Sequence, residues 1–252
     1  MTQEEALFEY CLRIGDSSMI LGHRISEWCG HGPILEEDIA MINISLDLLG
    51  QCTFMLEYAG KVEGKGRSED DIAYSRDVNQ FRNLMLTEQP NGDFGVTIAR
   101  QFLFDVYHYY FLEALTNSND ETLAAYAVKS LKEVTYHLRH SSEWMIRLGD
   151  GTEESHQRIQ EPLNDLWMFT GEMFTTDEVD NMMLEAGIGV DLQAIKSKWD
   201  VKVNEILAEA TLTRPEDKWM QKGSKQGNHT EHLGFILAEM QFLPRAYPDA
   251  TW

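Results

Sequence analysis

Basic side chains are scarce in this sequence. Its 252 residues hold 21 Lys and Arg against 42 Asp and Glu, a formal net charge of −21. A field of that sign repels nucleic acid and disfavours an anionic membrane surface, so neither is expected as a partner. Cysteine is nearly absent too. Cys11, Cys29 and Cys52 are an odd number without metal-like spacing, and they read as buried thiols of a reducing cytoplasm. No uninterrupted run approaches about 18 apolar residues, so no membrane span is expected. Glu4 and Glu5 stand where a signal peptide needs positive charge. Phosphate-loop and nucleophile-elbow motifs are missing, and Gly64-Lys65-Gly66-Arg67 lacks the strand and helix that a phosphate loop needs. Cys29 beside Trp28 and His31 reads as packing at a helix end rather than as a nucleophile.

What is present is helical periodicity. Hydrophobic residues make up 43% of the chain, enough at this length for a sizeable core. Leu7, Cys11, Ile14, Ser18, Leu21, Ile25 and Trp28 follow alternating steps of four and three, one face of a helix closed by Gly30-His31-Gly32-Pro33. A second helix carries Leu35, Ile39, Ile42, Leu46, Leu49, Thr53 and Leu56 on one stripe and Met41, Ile44, Leu48 and Met55 on the next. Two apolar faces predict a central place in a bundle. Residues 61–77 read as an exposed connection and 89–93 as a turn. Further helices are expected over about 94–115 and 121–148, the last with Leu123, Ala127, Ser130, Val134, His137, Ser141, Trp144 and Leu148 on one face. Helical patterns recur near 153–174, 177–186, 191–211 and 229–243, with a polar loop over 214–228. The expected architecture is all-α: one domain over 1–252, a four-helix bundle core over about 5–150 and accessory helices over about 151–252.

A long four-helix bundle invites a test for a carboxylate-bridged di-iron site. Such a site takes a Glu from each of two helices and a Glu-x-x-His pair from each of the others. Residues three apart share a helix face, so both side chains of the pair reach one metal pair. Only fragments occur here. Asp105 and His108 have the spacing with Asp for Glu; Glu133 and His137 are four apart; the second helix offers Asp47 and Gln51, and the first Ser18 with Asp16 beside it. Asp105 and His137 are expected as a buried pair, in direct hydrogen-bond reach or joined by a water, with His108 an ordinary helix residue.

Five strings then acquire meaning together: Ser26-Glu-Trp-Cys-Gly-His31, Leu46-Asp-Leu-Leu-Gly-Gln51, Glu88-Gln-Pro-Asn-Gly-Asp-Phe94, Lys132-Glu-Val-Thr-Tyr-His-Leu-Arg139 and His229-Thr-Glu-His-Leu-Gly234. In order and spacing, over nearly the whole chain, they resemble the PaaC family, structural subunits of bacterial multicomponent phenylacetyl-CoA 1,2-epoxidases. The resemblance implies a ferritin-like fold and assembly with a PaaA-type catalytic subunit that carries the di-iron centre and binds phenylacetyl-CoA. It implies a small third subunit and a separate reductase as well. Against the ligand motifs of the catalytic relative, Ser18 falls near the first Glu, Leu48 replaces a Glu, Gln51 replaces a His, Asp105 is retained, Val134 replaces a Glu and His137 is retained. The resemblance therefore implies a degenerate site with no cofactor of its own and no catalytic residue in this chain.

Two other readings stay open: a self-sufficient di-iron oxygenase, and an acidic helical scaffold unrelated to oxygenation. Trp28 and His31 are candidate interface residues toward the partner, with self-association as an alternative. Lys222, Lys225 and His229 lie in or beside a locally basic segment that includes Arg214 and Lys218, and they are candidates for meeting a coenzyme A phosphate or an acidic patch of the partner.

Overall fold

The computed structural model describes residues 1–248 and 250, and no strand occurs among them. The fold is a ferritin-like helical bundle. Its four long helices are α1 (Gln3–Ser26), α2 (Leu35–Glu63), α5 (Phe94–Leu115) and α6 (Glu121–Gly149). Between them lie the short α3 (Glu69–Ser75) and α4 (Met85–Glu88). The C-terminal part adds α7 (Glu153–Leu166), α8 (Glu178–Glu185), α9 (Leu192–Glu209), α10 (Glu231–Met240) and α11 (Phe242–Ala246). The helical pattern expected over 153–174 breaks at Trp167 into two 3-10 turns.

Local chemistry sets the helix starts. Thr2 caps α1 in a reciprocal box with Glu5, and Asp93, Asp120 and Asp191 accept first-turn N–H groups of α5, α6 and α9. Helices α1 and α2 run antiparallel in close contact. A Cβ added at Gly15 would lie 3.0 Å from Leu56, and one at Gly22 3.2 Å from Leu49, so small residues on α1 admit the bulk of α2. Helices α2 and α6 are also antiparallel, held by polar rungs. Glu37 accepts from His140 at 2.7 Å and Trp144 at 2.8 Å, Asp47 from His137 at 3.0 Å, and Glu133 from Gln51 at 2.9 Å.

The C-terminal helices close the outer side of α5. Trp199 of α9 is buried and its indole N–H donates to the Leu103 carbonyl at 3.0 Å. Arg13 of α1 grips Asp177 at 2.6 Å and Asp180 at 3.1 Å at the start of α8. The turn at 89–93 rests on two buried arginines: Arg100 donates to the Gln89 carbonyl and to Asn91, and Arg24 to the Glu88 carbonyl.

Two expectations change. On α2, Met41, Ile44, Leu48 and Met55 face inward, whereas Leu35, Ile39 and Leu46 of the other stripe are exposed. A strongly periodic stripe thus marks a face without saying which face the bundle uses. The absence of a long uninterrupted apolar run also hides the character of α2, because Asn43, Ser45, Asp47, Gly50 and Gln51 interrupt it. By length and mean hydropathy, 1.5 over its most apolar window, α2 could cross a membrane, yet half of that window is buried inside the bundle.

Candidate functional site

The bundle interior gathers the six positions that the resemblance sets against a di-iron ligand set. Ser18 on α1, Leu48 and Gln51 on α2, Asp105 on α5, and Val134 and His137 on α6 are all buried. The four helices bring them together because each occupies an inward stripe. Their chemistry does not suit a metal pair. Leu48 and Val134 are fully buried hydrocarbon where carboxylates would be needed, and Gln51 spends its amide N–H on Glu133. Among the described residues, no group of three or more His, Cys, Asp or Glu side chains is placed to hold a metal ion. The residues present therefore do not fit a di-iron centre.

Asp105 and His137 are both buried, but each has a different direct partner from the one expected. Asp105 accepts from Gln101 at 2.6 Å and from Ser141 at 2.8 Å. His137 donates through Nε2 to Asp47, leaving Nδ1 without a protein partner. No direct hydrogen bond joins the two: Gln101, one turn before Asp105, and Ser141, one turn after His137, occupy the carboxylate, and the free Nδ1 of His137 is the atom that a linking water would meet. His108, packed against Phe104, is pushed down to about 3 by burial and by His137, so it stays neutral.

Burial pushes Asp105 up to about 7, against the lowering pull of His137, Ser141 and Gln101. Its folded pKa thus lies above its unfolded value. The ionised form opposes folding, and the contribution of Asp105 to stability falls as pH rises from about 4 to about 7. Asp105→Asn removes that dependence. Its stability relative to the parent is expected to improve between pH 5 and pH 8, as read from urea midpoints. A difference that stays constant across that range rejects the assignment.

A cavity of about 40 Å³ opens between α1 and α5, lined by residues including Tyr10, Ser18, Phe104 and His108. It has room for a few waters, whereas a cavity of roughly 150 Å³ is what holds a benzene ring. Tyr10 Oη, Ser18 Oγ and His108 Nδ1 are buried without protein partners.

The basic segment is divided: Lys218 and Lys222 are exposed, whereas Arg214, Lys225 and the neighbouring His229 are engaged within the chain. Lys225 donates to Asp180 at 2.6 Å and to the Thr175 carbonyl at 2.7 Å, and burial lowers its pKa despite Asp180. His229 faces two acceptors, Glu88 through Nδ1 and the Phe81 carbonyl through Nε2, each at 3.0 Å. Both ring nitrogens must donate there, which calls for the imidazolium. Burial opposes it, but the Glu88 bond and charge outweigh burial and raise the pKa. Arg214 is likewise engaged, with Asp200 at 2.6 Å. An incoming phosphate at Lys225 or His229 would have to compete with Asp180 or Glu88 for these side chains. Lys222 is exposed.

At the other corner, Trp28 donates to Thr97 at 3.0 Å and meets Phe94 edge to face, while His31 is exposed with Nδ1 on the Cys29 carbonyl. Trp28 thus packs the end of its own helix. Sequence reasoning missed the buried acids Glu88 and Glu172. Glu88 accepts from His229, Asn83 and Thr230, and Glu172 from Met85 and Ser224. The available signal for Glu88 was its place beside the Pro-Asn-Gly turn, in one of the strings singled out above.

Fold and centre together define a ferritin-like helical bundle whose interior holds buried Leu48 and Val134 among its polar side chains. The chain belongs to the phenylacetic acid catabolic protein family, PaaA_PaaC, which it matches over residues 1–252. It is 48% identical over 246 residues to the C component of the 1,2-phenylacetyl-CoA epoxidase of Escherichia coli (strain K12), covering 98% of this chain and 99% of that protein.

Proposed function

We propose that this chain is the non-catalytic structural subunit of a cytoplasmic phenylacetyl-CoA epoxidase, a monooxygenase of aerobic phenylacetate degradation. It stabilises and orients a PaaA-type subunit that binds the thioester and carries the di-iron centre; further epoxidase subunits complete the assembly. This chain has no resident cofactor. The observation that carries the reading is the pair Leu48 and Val134, fully buried hydrocarbon at the heart of the bundle. The small cavity beside Ser18 agrees with it, since an aromatic ring does not fit. The name of the Escherichia coli relative, one subunit of an epoxidase, supports both the activity and the existence of partners. Residues 1–252 act as one domain, because α9 is anchored on α5 through Trp199 and α8 on α1 through Arg13.

The test is purification alone and after co-expression with a PaaA-type subunit, each followed by sizing and iron analysis. The isolated chain is expected to hold far less than one iron, and the complex to contain iron and epoxidise phenylacetyl-CoA. Two tightly bound irons per isolated chain would establish the self-sufficient oxygenase instead. Failure to co-purify with any PaaA-type subunit would favour the unrelated acidic scaffold.

A further inference from the structure

The last two helices rest chiefly on the connection between α2 and α5. Helix α10 packs on α4 and on the 3-10 turn Val78–Gln80, and α11 packs on α3. The buried face of α10 is small: Leu233, Ile236 and Leu237. Beyond it the seat is polar. Gln241 donates to the carbonyls of Ala73 at 3.2 Å and Arg76 at 2.9 Å, and Arg245 to the Arg76 carbonyl at 2.9 Å. A segment with few buried apolar contacts belongs to the low-stability end of a fold, where parts open without the whole. The chain enters this segment through Gly223 at φ +123° and Gly227 at φ +81°, backbone conformations that favour glycine. A Cβ at Gly227 would collide with the Asn79 carbonyl oxygen, so the closed segment sits backbone against backbone there.

Between the two glycines and α10 stands one buried charge pair. The side chains of His229 and Glu88 are both fully shielded from solvent. His229 meets Glu88 through Nδ1 and the Phe81 carbonyl through Nε2, each at 3.0 Å. Glu88 also accepts from the Thr230 backbone N–H at 2.6 Å, the Thr230 hydroxyl at 2.7 Å and Asn83 at 2.9 Å. A neutral imidazole has a single N–H and serves only one of two acceptors, so losing the proton strands a buried acceptor. The charged groups around His229 are Glu88 on α4 and Glu172 on the 3-10 turn Gly171–Phe174, with Arg24 of α1 behind Glu88 on its carbonyl. The two acids raise the His229 pKa against burial, so its contribution to closure is full below about 6.5 and is lost as pH rises through the folded value. Glu172, which accepts from Met85 and from Ser224 beside Gly223, is pushed up to about 7 by burial, so it gains charge over the same range and acts in the same direction.

We propose that residues 228–246 form a hinged strap, latched by protonated His229 between Glu88 and the Phe81 carbonyl, and that loss of this proton lets the strap open as a unit while the four long helices stay folded. The hinge lies at Gly223 and Gly227. Opening parts α10 from α4 and bares Leu233, Ile236 and Leu237 to water. Rising pH is the trigger, and the device needs only this chain, so it stands apart from the functional reading above.

Amide hydrogen exchange of the full chain, read by mass spectrometry at pH 6 and pH 9 and corrected for intrinsic rates, tests the strap. At pH 9 peptides covering 231–246 are expected to be at least tenfold less protected than peptides of α5. Their loss of protection between the two pH values is expected to be at least fivefold larger in the parent than in His229→Gln. The share that Glu172 contributes is common to both proteins and cancels. Nitrogen-detected NMR of the parent supplies a reading that needs no folded variant at the latch: both ring nitrogens of His229 are expected to carry protons at pH 6. Exchange of 231–246 only together with α5 at both pH values overturns the opening. Equal pH responses in parent and variant, or a neutral His229 at pH 6, overturn the latch.

Discussion

Leu48→Glu is expected to leave the chain largely unfolded at pH 7.5 and measurably more folded at pH 5. Leu48 is fully buried on the inner face of α2. Removing it forfeits about 1.5–3 kcal/mol of apolar burial. The new carboxyl group then has two costly choices: to stay ionised in the core, at several kcal/mol, or to bind a proton at a strongly raised pKa. Set against a typical total stability of about 5–15 kcal/mol, the sum is decisive. The sign with pH follows from the raised folded pKa. The electrostatic part of the penalty is small near pH 4 and grows as pH rises toward the folded value. Urea midpoints at the two pH values give the measurement. Leu48→Met, which conserves volume, is expected to cost less than about 1.5 kcal/mol. A Leu48→Glu chain as stable as the parent at both pH values would mean a wet, open centre, and the account of it as core would fall. Added ferrous iron is not expected to rescue the variant, because Val134 still faces the same centre.

The long helices were legible because their signals are local. Cap residues and a period near 3.6 act within a few turns, so 94–115 and the inward stripe of α6 emerge from the sequence as the structure has them. The degenerate site was not legible from periodicity, which offered only fragments such as Asp105 with His108; its six positions came from the family resemblance, and all six are buried. Partner choice was not legible. Asp47 meets His137 across 90 residues of chain and Glu88 meets His229 across 141, and no local pattern encodes which acid a buried histidine finds. Lys225 illustrates the same gap. A cluster of basic residues in sequence looks like an anion site, yet the fold brings Asp180 to this lysine first. The two stripes of α2 could not be ranked either, since the outer one is as apolar as the inner and differs only in what lies opposite.

Asp16→Ala is expected to be the most damaging substitution of a charged residue in the chain, lowering stability by about 3–5 kcal/mol. Asp16 sits on α1, fully buried, and both terminal nitrogens of Arg76 reach its carboxylate, one at 2.8 Å. The Arg82 backbone N–H adds a third bond at 2.8 Å. Arg76 is itself buried, donates to the Ile72 carbonyl at 2.6 Å, and lies over the Phe81 ring at 4.2 Å. This arrangement pins residues 76–82 against the first helix. Deleting Asp16 strands a guanidinium that has no water to turn to, and that stranded charge, rather than the lost attraction, dominates the cost. The double substitution Asp16→Leu with Arg76→Met removes both charges at similar volume, so it is expected to be far milder than the sum of the two single substitutions. Because the pair is shielded from solvent, the penalty of Asp16→Ala should change little between about 0.05 and 0.5 M salt, unlike that of a surface pair. A double-substitution cycle by urea denaturation at both salt concentrations decides the matter. Additive single effects, or a loss that salt abolishes, would show that Asp16 and Arg76 do not form a buried anchor.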